Sequence, residues 1–265
     1  MLFASMVEML QKMVKEKGYA CLIYYIGEEE HEVEHALQVC RERQPMGILF
    51  LGSNQENFKE CFEQVDIPCV MVTNPADSLT FLNLSSVSID DKEAARTVIR
   101  HLASLGHQNI GILGGEMKYS NPAKARYEGC LEAFEELNVA FDIEKNFEAS
   151  KFTMEGGYHA MLKLLNKTPN ITAVFAMSDV MALGAIRAIK DMDYRVPDDI
   201  SVVGFDGIEM GEYMIPKLTT IKQPGTELAR RCVDILLQCI CEHKIGIYEN
   251  IPFELIEGES TMNVH

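Results

Sequence analysis

The sequence has no apolar run approaching the ~20 residues that a helical membrane span requires. Its first residues show neither a basic n-region nor a small-residue cleavage site. Met1 to Leu10 reads directly as a helix, so a secretory leader is not expected. Basic residues are few: 24 Lys and Arg stand against 40 Asp and Glu, a net charge of -16. A surface that acidic repels phosphate backbones, so this chain by itself is expected to bind nucleic acid poorly. Proline-, glycine- or serine-rich linkers and low-complexity tracts are also missing, which argues for lobes that are closely coupled rather than tethered. No G-x-S-x-G elbow, no G-x-x-x-x-G-K-[ST] loop and no G-x-G-x-x-G fingerprint occurs. Acyl-transfer chemistry of that type and the common nucleotide folds are therefore disfavoured.

What is present is a globular composition, 47% apolar and 24% charged over 265 residues. That length suffices for one large domain or two ordinary lobes. Eight cysteines are scattered, most of them at apolar positions of expected helices and strands. This is the pattern of buried free thiols in a reducing cytoplasm rather than of a disulfide framework.

Hydrophobic patterning alternates strand and helix with a period of roughly 25 to 30 residues, the length of a βαβ unit. The first helix is expected to bury Phe3, Val7, Leu10 and Val14, and Gly18 to end it. Strands are expected at Tyr19 to Ile26, Gly47 to Leu51, Pro68 to Val72 and Val87 to Ile89. Asp90 or Asp91 should cap a helix with Ala94, Ala95, Val98, Ile99 and Leu102 inside. A second run of the same alternation follows, with strands at Ile110 to Leu113, Ala173 to Ala176, Ser201 to Phe205 and Thr219 to Ile221. Short continuous apolar strands fit parallel sheets covered on both faces. Such sheets bind ligands beyond the carboxyl ends of their strands, where Gly, Ser, Asn and Asp collect in this sequence.

Two short motifs suggest metal. His31-Glu32-Val33-Glu34-His35 matches H-E-x-x-H, which on a helix places two histidines on one face beside a glutamate base. Its surroundings are a run of glutamates, and its apolar stripe (Val33, Leu37, Cys40) points away from the histidines. A solvated acidic helix face is the expected reading. Cys239-x-Cys241-x-His243 could be half a metal site, but C-x-C puts the thiols about 200° apart around a helix. Core packing is the simpler account. No metal, no cofactor and no enzymatic activity is expected.

The segments Val196-Pro197-Asp198-Asp199-Ile200-Ser201-Val202-Val203-Gly204-Phe205-Asp206 and Pro216-Lys217-Leu218-Thr219-Thr220-Ile221-Lys222-Gln223-Pro224 resemble the lactose-repressor (LacI/GalR) family of bacterial transcription regulators. Three further stretches agree: Asp90 through His101-Leu102 to Gly111, Arg126-x-x-Gly129, and Ala176-Met177-Ser178-Asp179-x-Met181-Ala182-x-Gly184-Ala185. Glu254 to Thr261 resembles the family's closing strand. The likeness covers essentially the whole chain.

The resemblance implies an α/β fold of two similar, doubly wound parallel-sheet lobes joined by three crossovers, the fold of type I periplasmic binding proteins. One lobe would comprise residues 1–106 plus 223–243 and the other 107–222 plus 244–265. A small polar effector, a sugar or sugar derivative, would bind between them. Arg126 and Asp206 match the family's ligand-binding arginine and acid. Phe152 and Phe3 match aromatics that stack on ligands. Ser178 falls where many members carry Asn, and Asp91 is a further candidate. The implied function is a cytoplasmic, homodimeric effector sensor that controls operator DNA through a helix-turn-helix head. The alternative is a solute-binding receptor of a sugar transporter.

Two departures from the family pattern stand out. The head is not in this sequence, and Leu2-Phe3-Ala4 already occupies the family's first sensor helix. The first strand of the first lobe is then missing as well, which would leave an unpaired position in its sheet. A truncated form of a longer protein is the expected explanation.

Overall fold

The computed structural model describes residues 2–27, 30–116 and 121–264. In chain order the elements are α1 (Leu2–Glu16), α2 (Glu32–Arg43), β1 (Ile48–Leu51), α3 (Gln55–Cys61), β2 (Cys69–Val72), β3 (Leu84–Ser88), α4 (Asp91–Ser104) and β4 (Ile110–Gly114). There follow α5 (Asn121–Leu137), α6 (Ile143–Asn146), β5 (Phe147–Ala149), α7 (Met154–Lys167), β6 (Ala173–Ala176), α8 (Asp179–Asp191) and β7 (Ser201–Asp206). The last are α9 (Glu209–Glu212), β8 (Thr219–Lys222), α10 (Gly225–Glu242), β9 (Tyr248–Asn250) and β10 (Glu254–Ile256).

Two compact units result, one of residues 1–89 and 224–252, the other of residues 90–223 and 253–265. The first unit holds a parallel sheet in the order β1-β2-β3-β9. Its α10 lies along β2 and β3 and packs against α1. A core of Val33, Leu37, Phe50, Phe58, Phe62, Met71 and Leu84 joins the sheet to α2 and α3. Four aromatic rings, Phe50, Phe58, Phe62 and Phe81, form a chain of contacts 5.0 to 6.3 Å apart there.

The second unit holds six strands in the order β10-β8-β7-β6-β4-β5, all parallel except β10. Alternation along a strand sends neighbouring side chains to opposite faces. Val174 and Ala176 of β6 accordingly join the core beneath α7 and α8, with Met161, Leu164, Met181 and Ile189. Phe175 meets Phe205 of β7 at 6.3 Å. Each fully buried side chain of this size stabilises the unit by about 1.5–3 kcal/mol.

Several expectations need correction. The division between units falls after Ile89, not after residue 106, because α4 packs against α5 of the second unit. The last passage between units lies after Pro252 rather than near residue 243, because β9 pairs with β3. Asp90 is the cap, accepting from the Glu93 amide at 2.9 Å, and Asp91 is left free to point inward. In α1 the buried residues are Met6 and Leu10, while Phe3 is half exposed.

Tyr19 to Ile26 is not a strand. Its backbone finds no ladder partner among the described residues, and Leu22, Tyr24 and Tyr25 are 68%, 51% and 86% exposed. Among the described residues β1 pairs only with β2 and forms the sheet edge. An apolar segment becomes a strand only where a neighbour can take its hydrogen bonds.

Candidate functional site

The carboxyl ends of β4, β6, β7 and β8 meet at one end of the second sheet, where ligands bind in open parallel sheets. Arg126 reaches that end from α5. It lies on the buried stripe of the helix, with Ala123, Gly129, Cys130 and Ala133. Its Nε donates to Asp91 Oδ1 at 2.7 Å, and its Nη1 donates to the Met177 carbonyl at 2.5 Å. Its guanidinium carbon stands 3.5 Å from the centroid of the Phe205 ring. The R-x-x-G pattern thereby gains a physical meaning. A Cβ at Gly129 would collide with the Lys92 carbonyl of α4, so glycine lets α5 come close enough for Arg126 to reach Asp91.

Asp206 ends β7 with φ at +116°, a costly conformation for a non-glycine residue. Gln223 holds it there twice. The Gln223 side-chain amide donates to Asp206 Oδ1 at 2.9 Å, and the Gln223 backbone amide donates to the Asp206 carbonyl at 3.1 Å. Burial pushes the Asp206 carboxyl up to about 6, against the opposing pull of Arg126 and Gln223. Burial likewise raises Asp91, again opposed by Arg126. Among the described residues, Arg126 Nη2 and Asp206 Oδ2 make no hydrogen bond. Three guanidinium N–H groups, two on Nη2 and one on Nη1, and one carboxylate oxygen thus have no partner among the described residues.

The other candidates divide. Ser178 is buried, and its hydroxyl accepts from the Met181 amide at 3.3 Å as the cap of α8. Phe152 is partly buried and covers Gly115 at the tip of β4, where an added Cβ would strike its ring. Phe3 belongs to the first unit and packs its ring on Gly52. Gln223 was not singled out from the sequence. A lone glutamine before proline carries no spacing signal, and only the turn of Asp206 gives it a role.

Asp179 follows Ser178 within the same family-like segment. Its Oδ2 accepts from the Ile208 amide at 2.7 Å and its Oδ1 from Thr220 Oγ1 at 2.6 Å. It ties α8 to β8 and to the loop after β7. A Cβ at Gly204 would collide with its Oδ1, which accounts for the glycine inside that strand. Burial, and then the charge of Asp206, push the Asp179 carboxyl up to about 7.

The sign of the consequence is fixed. A carboxyl whose folded pKa lies above its unfolded value holds extra protons in the folded state. Its stabilising contribution is complete below about pH 4 and is lost as pH rises through about 7. Asp179→Asn keeps both hydrogen bonds, with the amide oxygen accepting from Ile208 and the amide nitrogen donating to Thr220. The variant is expected to be about 2 kcal/mol more stable than the parent at pH 8 and equal to it near pH 4. Urea denaturation at the two pH values measures this. A variant less stable at both would mean that the charge at the start of α8 outweighs its burial.

The metal motifs do not assemble a site. His31 precedes α2 as its N-cap. Glu32 is buried and accepts from the Asn54 amide at 2.7 Å and from the Asn57 side-chain amide at 2.5 Å, so it anchors α3. Glu28 and Glu29 lie outside the described residues. Cys239 is buried, Cys241 is exposed, and His243 sits beyond the end of α10 in a left-handed turn. Among the described residues no three His, Cys, Asp or Glu side chains are placed to hold a metal ion. No described helix is long and apolar enough to cross a membrane.

Comparison with known proteins agrees with this architecture. Residues 99–261 match the periplasmic binding protein-like domain. The transcriptional regulator MalR of Clostridium butyricum is 31% identical over 99% of the chain and 78% of its own length. Two solved structures share 25% identity: the transcriptional regulator CelR in complex with cellobiose, and the dimeric lac repressor bound to operator and an anti-inducer. CelR aligns with a TM-score of 0.86 over 98% of this chain and 79% of its own. The lac repressor aligns with a TM-score of 0.84 over 98% and 89%. These relatives are regulators of transcription, not enzymes. The chain belongs to the LacI/GalR family of transcriptional regulators and carries that family's effector-binding domain.

Proposed function

We propose that the Arg126–Asp91–Asp206 cluster binds a sugar or sugar derivative and that this binding controls a cytoplasmic, homodimeric transcriptional repressor. The observation that carries the reading is the pairing of open guanidinium donors, on an arginine stacked over the Phe205 ring, with an open carboxylate oxygen of Asp206. Adjacent hydroxyls of a sugar offer the matching acceptors and donor. The cellobiose bound by CelR supports the ligand class. Dimerisation is supported by the dimeric lac repressor and by a shallow apolar face where α7 meets α8, lined by Met154, Tyr158 and Leu183. Operator contact would require a DNA-binding head, since a net charge of -16 repels DNA.

Thermal unfolding in the presence of ribose, glucose, maltose and cellobiose tests the reading. A ligand present at about 100 times its Kd stabilises by about 2.7 kcal/mol. For a chain of this size that corresponds to a rise of several degrees. The rise should vanish in Asp206→Ala. No rise with any of the four sugars, or an undiminished rise in Asp206→Ala, would remove the cluster as the effector site.

A further inference from the structure

We infer that Asp179, fully buried and holding the loop after Asp206, is a positioning residue of the effector site: it keeps a proton, and this lets Asp206 meet the effector as a carboxylate. The inference rests on the effector-site reading above and adds how that site responds to pH.

Asp179 opens α8 and is fully buried, whereas Asp206 is only partly so. The Ile208 amide, two residues past Asp206, donates to Asp179 Oδ2 at 2.7 Å. Thr220 Oγ1 of β8 lies 2.6 Å from Asp179 Oδ1. The positive φ of Asp206 is therefore held from two directions, by Gln223 directly and by Asp179 through Ile208.

Three carboxyls, Asp91, Asp179 and Asp206, share this region with Arg126, whose ion pair is with Asp91. With all three ionised, two negative charges would stand uncompensated in a largely buried place, which is costly. The hydrogen-bond partners decide which carboxyl takes up a proton. Asp206 Oδ1 accepts from the Gln223 side-chain amide, which can only donate and so favours the carboxylate. Thr220 can serve either state of Asp179. Its hydroxyl lies 3.3 Å from the Ile221 carbonyl, so it can donate there while accepting the proton of Asp179 Oδ1.

Neutral Asp179 thus keeps both partners, and no cation pairs with it among the described residues. The charged or titratable side chains on the surrounding elements, Lys222 of β8, Glu209 after β7, and Glu155, His159 and Lys163 of α7, are exposed. Burial and then the charge of Asp206 accordingly place the Asp179 carboxyl at about 7, above Asp206 at about 6. An effector hydroxyl on Asp206 displaces water from that carboxylate, so its repulsion of an ionised Asp179 is screened less. Binding then favours the protonated form of Asp179, and ionisation of Asp179 weakens binding.

Calorimetric titration of the intact protein with ribose, glucose, maltose and cellobiose, at pH 6 and at pH 8, reads this. A sugar that binds should bind about 5-fold more weakly at pH 8, the change that results if bound effector strengthens proton binding at Asp179 about tenfold. Asp179→Asn cannot ionise and keeps the hydrogen-bond pattern of the neutral acid, so its affinity should be the same at both pH values. The proton is also read without ligand. The infrared band of a protonated carboxylic acid should be present in the parent at pH 6 and missing from Asp179→Asn.

An affinity that does not change with pH, or a pH dependence that persists in Asp179→Asn, overturns the role of Asp179. So does a carboxylic-acid band that is absent from the parent or that disappears only in Asp206→Asn. In each of these cases, loss of sugar binding in Asp206→Ala leaves the effector site standing. Binding that survives Asp206→Ala, or no binding by any of the four sugars, overturns the site and this inference with it.

Discussion

Arg126→Met is expected to lower stability by about 3–5 kcal/mol at neutral pH, the usual cost of removing one partner of a buried ion pair. Methionine keeps much of the side-chain volume, so the loss is chiefly electrostatic. Asp91 is 5% exposed, and Arg126 is its only salt-bridge partner among the described residues. Without it, the Asp91 carboxylate stays buried and unbalanced or must take up a proton. The guanidinium stacked on Phe205 is lost too, which adds up to about 2 kcal/mol when such a contact is desolvated. For a chain of this length each kcal/mol corresponds to roughly 2–4 °C in Tm. The deficit should shrink on acidification, since protonated Asp91 no longer needs a counter-charge. Asp91→Asn combined with Arg126→Met should recover part of the stability and none of the sugar binding. That double-mutant cycle separates the ion pair's structural role from the proposed contact of Arg126 with ligand. A single variant within about 1 °C of the parent would show that the pair is solvated.

The same cluster marks how far the sequence can be read. Arg126, Asp91 and Asp206 stand out because the resemblance to the LacI/GalR family implies ligand contacts at their positions. The geometry that joins them into one cluster is less legible. Asp91 had to be separated from Asp90, and adjacent carboxylates offer no sequence signal for which one caps α4 and which one turns inward. Ser178 falls at a position where the family resemblance implies a ligand contact, and a serine before a helix is equally a cap, a role its hydroxyl fills for α8.

Strands were legible where apolar runs are buried on both faces. Ala173–Ala176 is read to the residue. β5 and β9, three residues each, escape because edge strands need little apolar pattern. Tyr19 to Ile26 fails in the opposite direction. Its apolar run is strong, but pairing belongs to two segments at once, and no described strand lies alongside it. The boundary between units was misplaced for a related reason. Residues 91–104 read correctly as a helix, but which sheet a helix packs on depends on Gly129 and Lys92, far apart in sequence.

Glycine spacing carries information that hydrophobic periodicity does not, and Gly184→Ala shows its size. Helix propensity alone favours this change by up to about 1 kcal/mol, because Gly184 lies inside α8. Packing opposes it. A Cβ at 184 would collide with the Met154 carbonyl oxygen and lie 2.7 Å from the Tyr158 amide nitrogen. Both are backbone atoms of α7 and cannot rotate aside. Gly157 of α7 makes the reciprocal approach, where a Cβ would strike the Met181 carbonyl of α8. The two helices therefore touch backbone to backbone, and separating them loosens a core that includes Ala160, Met161, Leu164, Ala185 and Ala188. Overpacking against rigid atoms costs about 3 kcal/mol or more, which outweighs the propensity gain. Gly184→Ala should thus lower Tm by roughly 6 °C or more, with faster amide exchange in α7 and α8. Gly211→Ala is the control. Its Cβ would meet Leu218 at 3.4 Å, an ordinary contact, and Tm should stay within about 1 °C of the parent. If Gly184→Ala instead raised Tm, the α7–α8 crossing would have room for a methyl group, and the glycine would owe its place to something other than close packing.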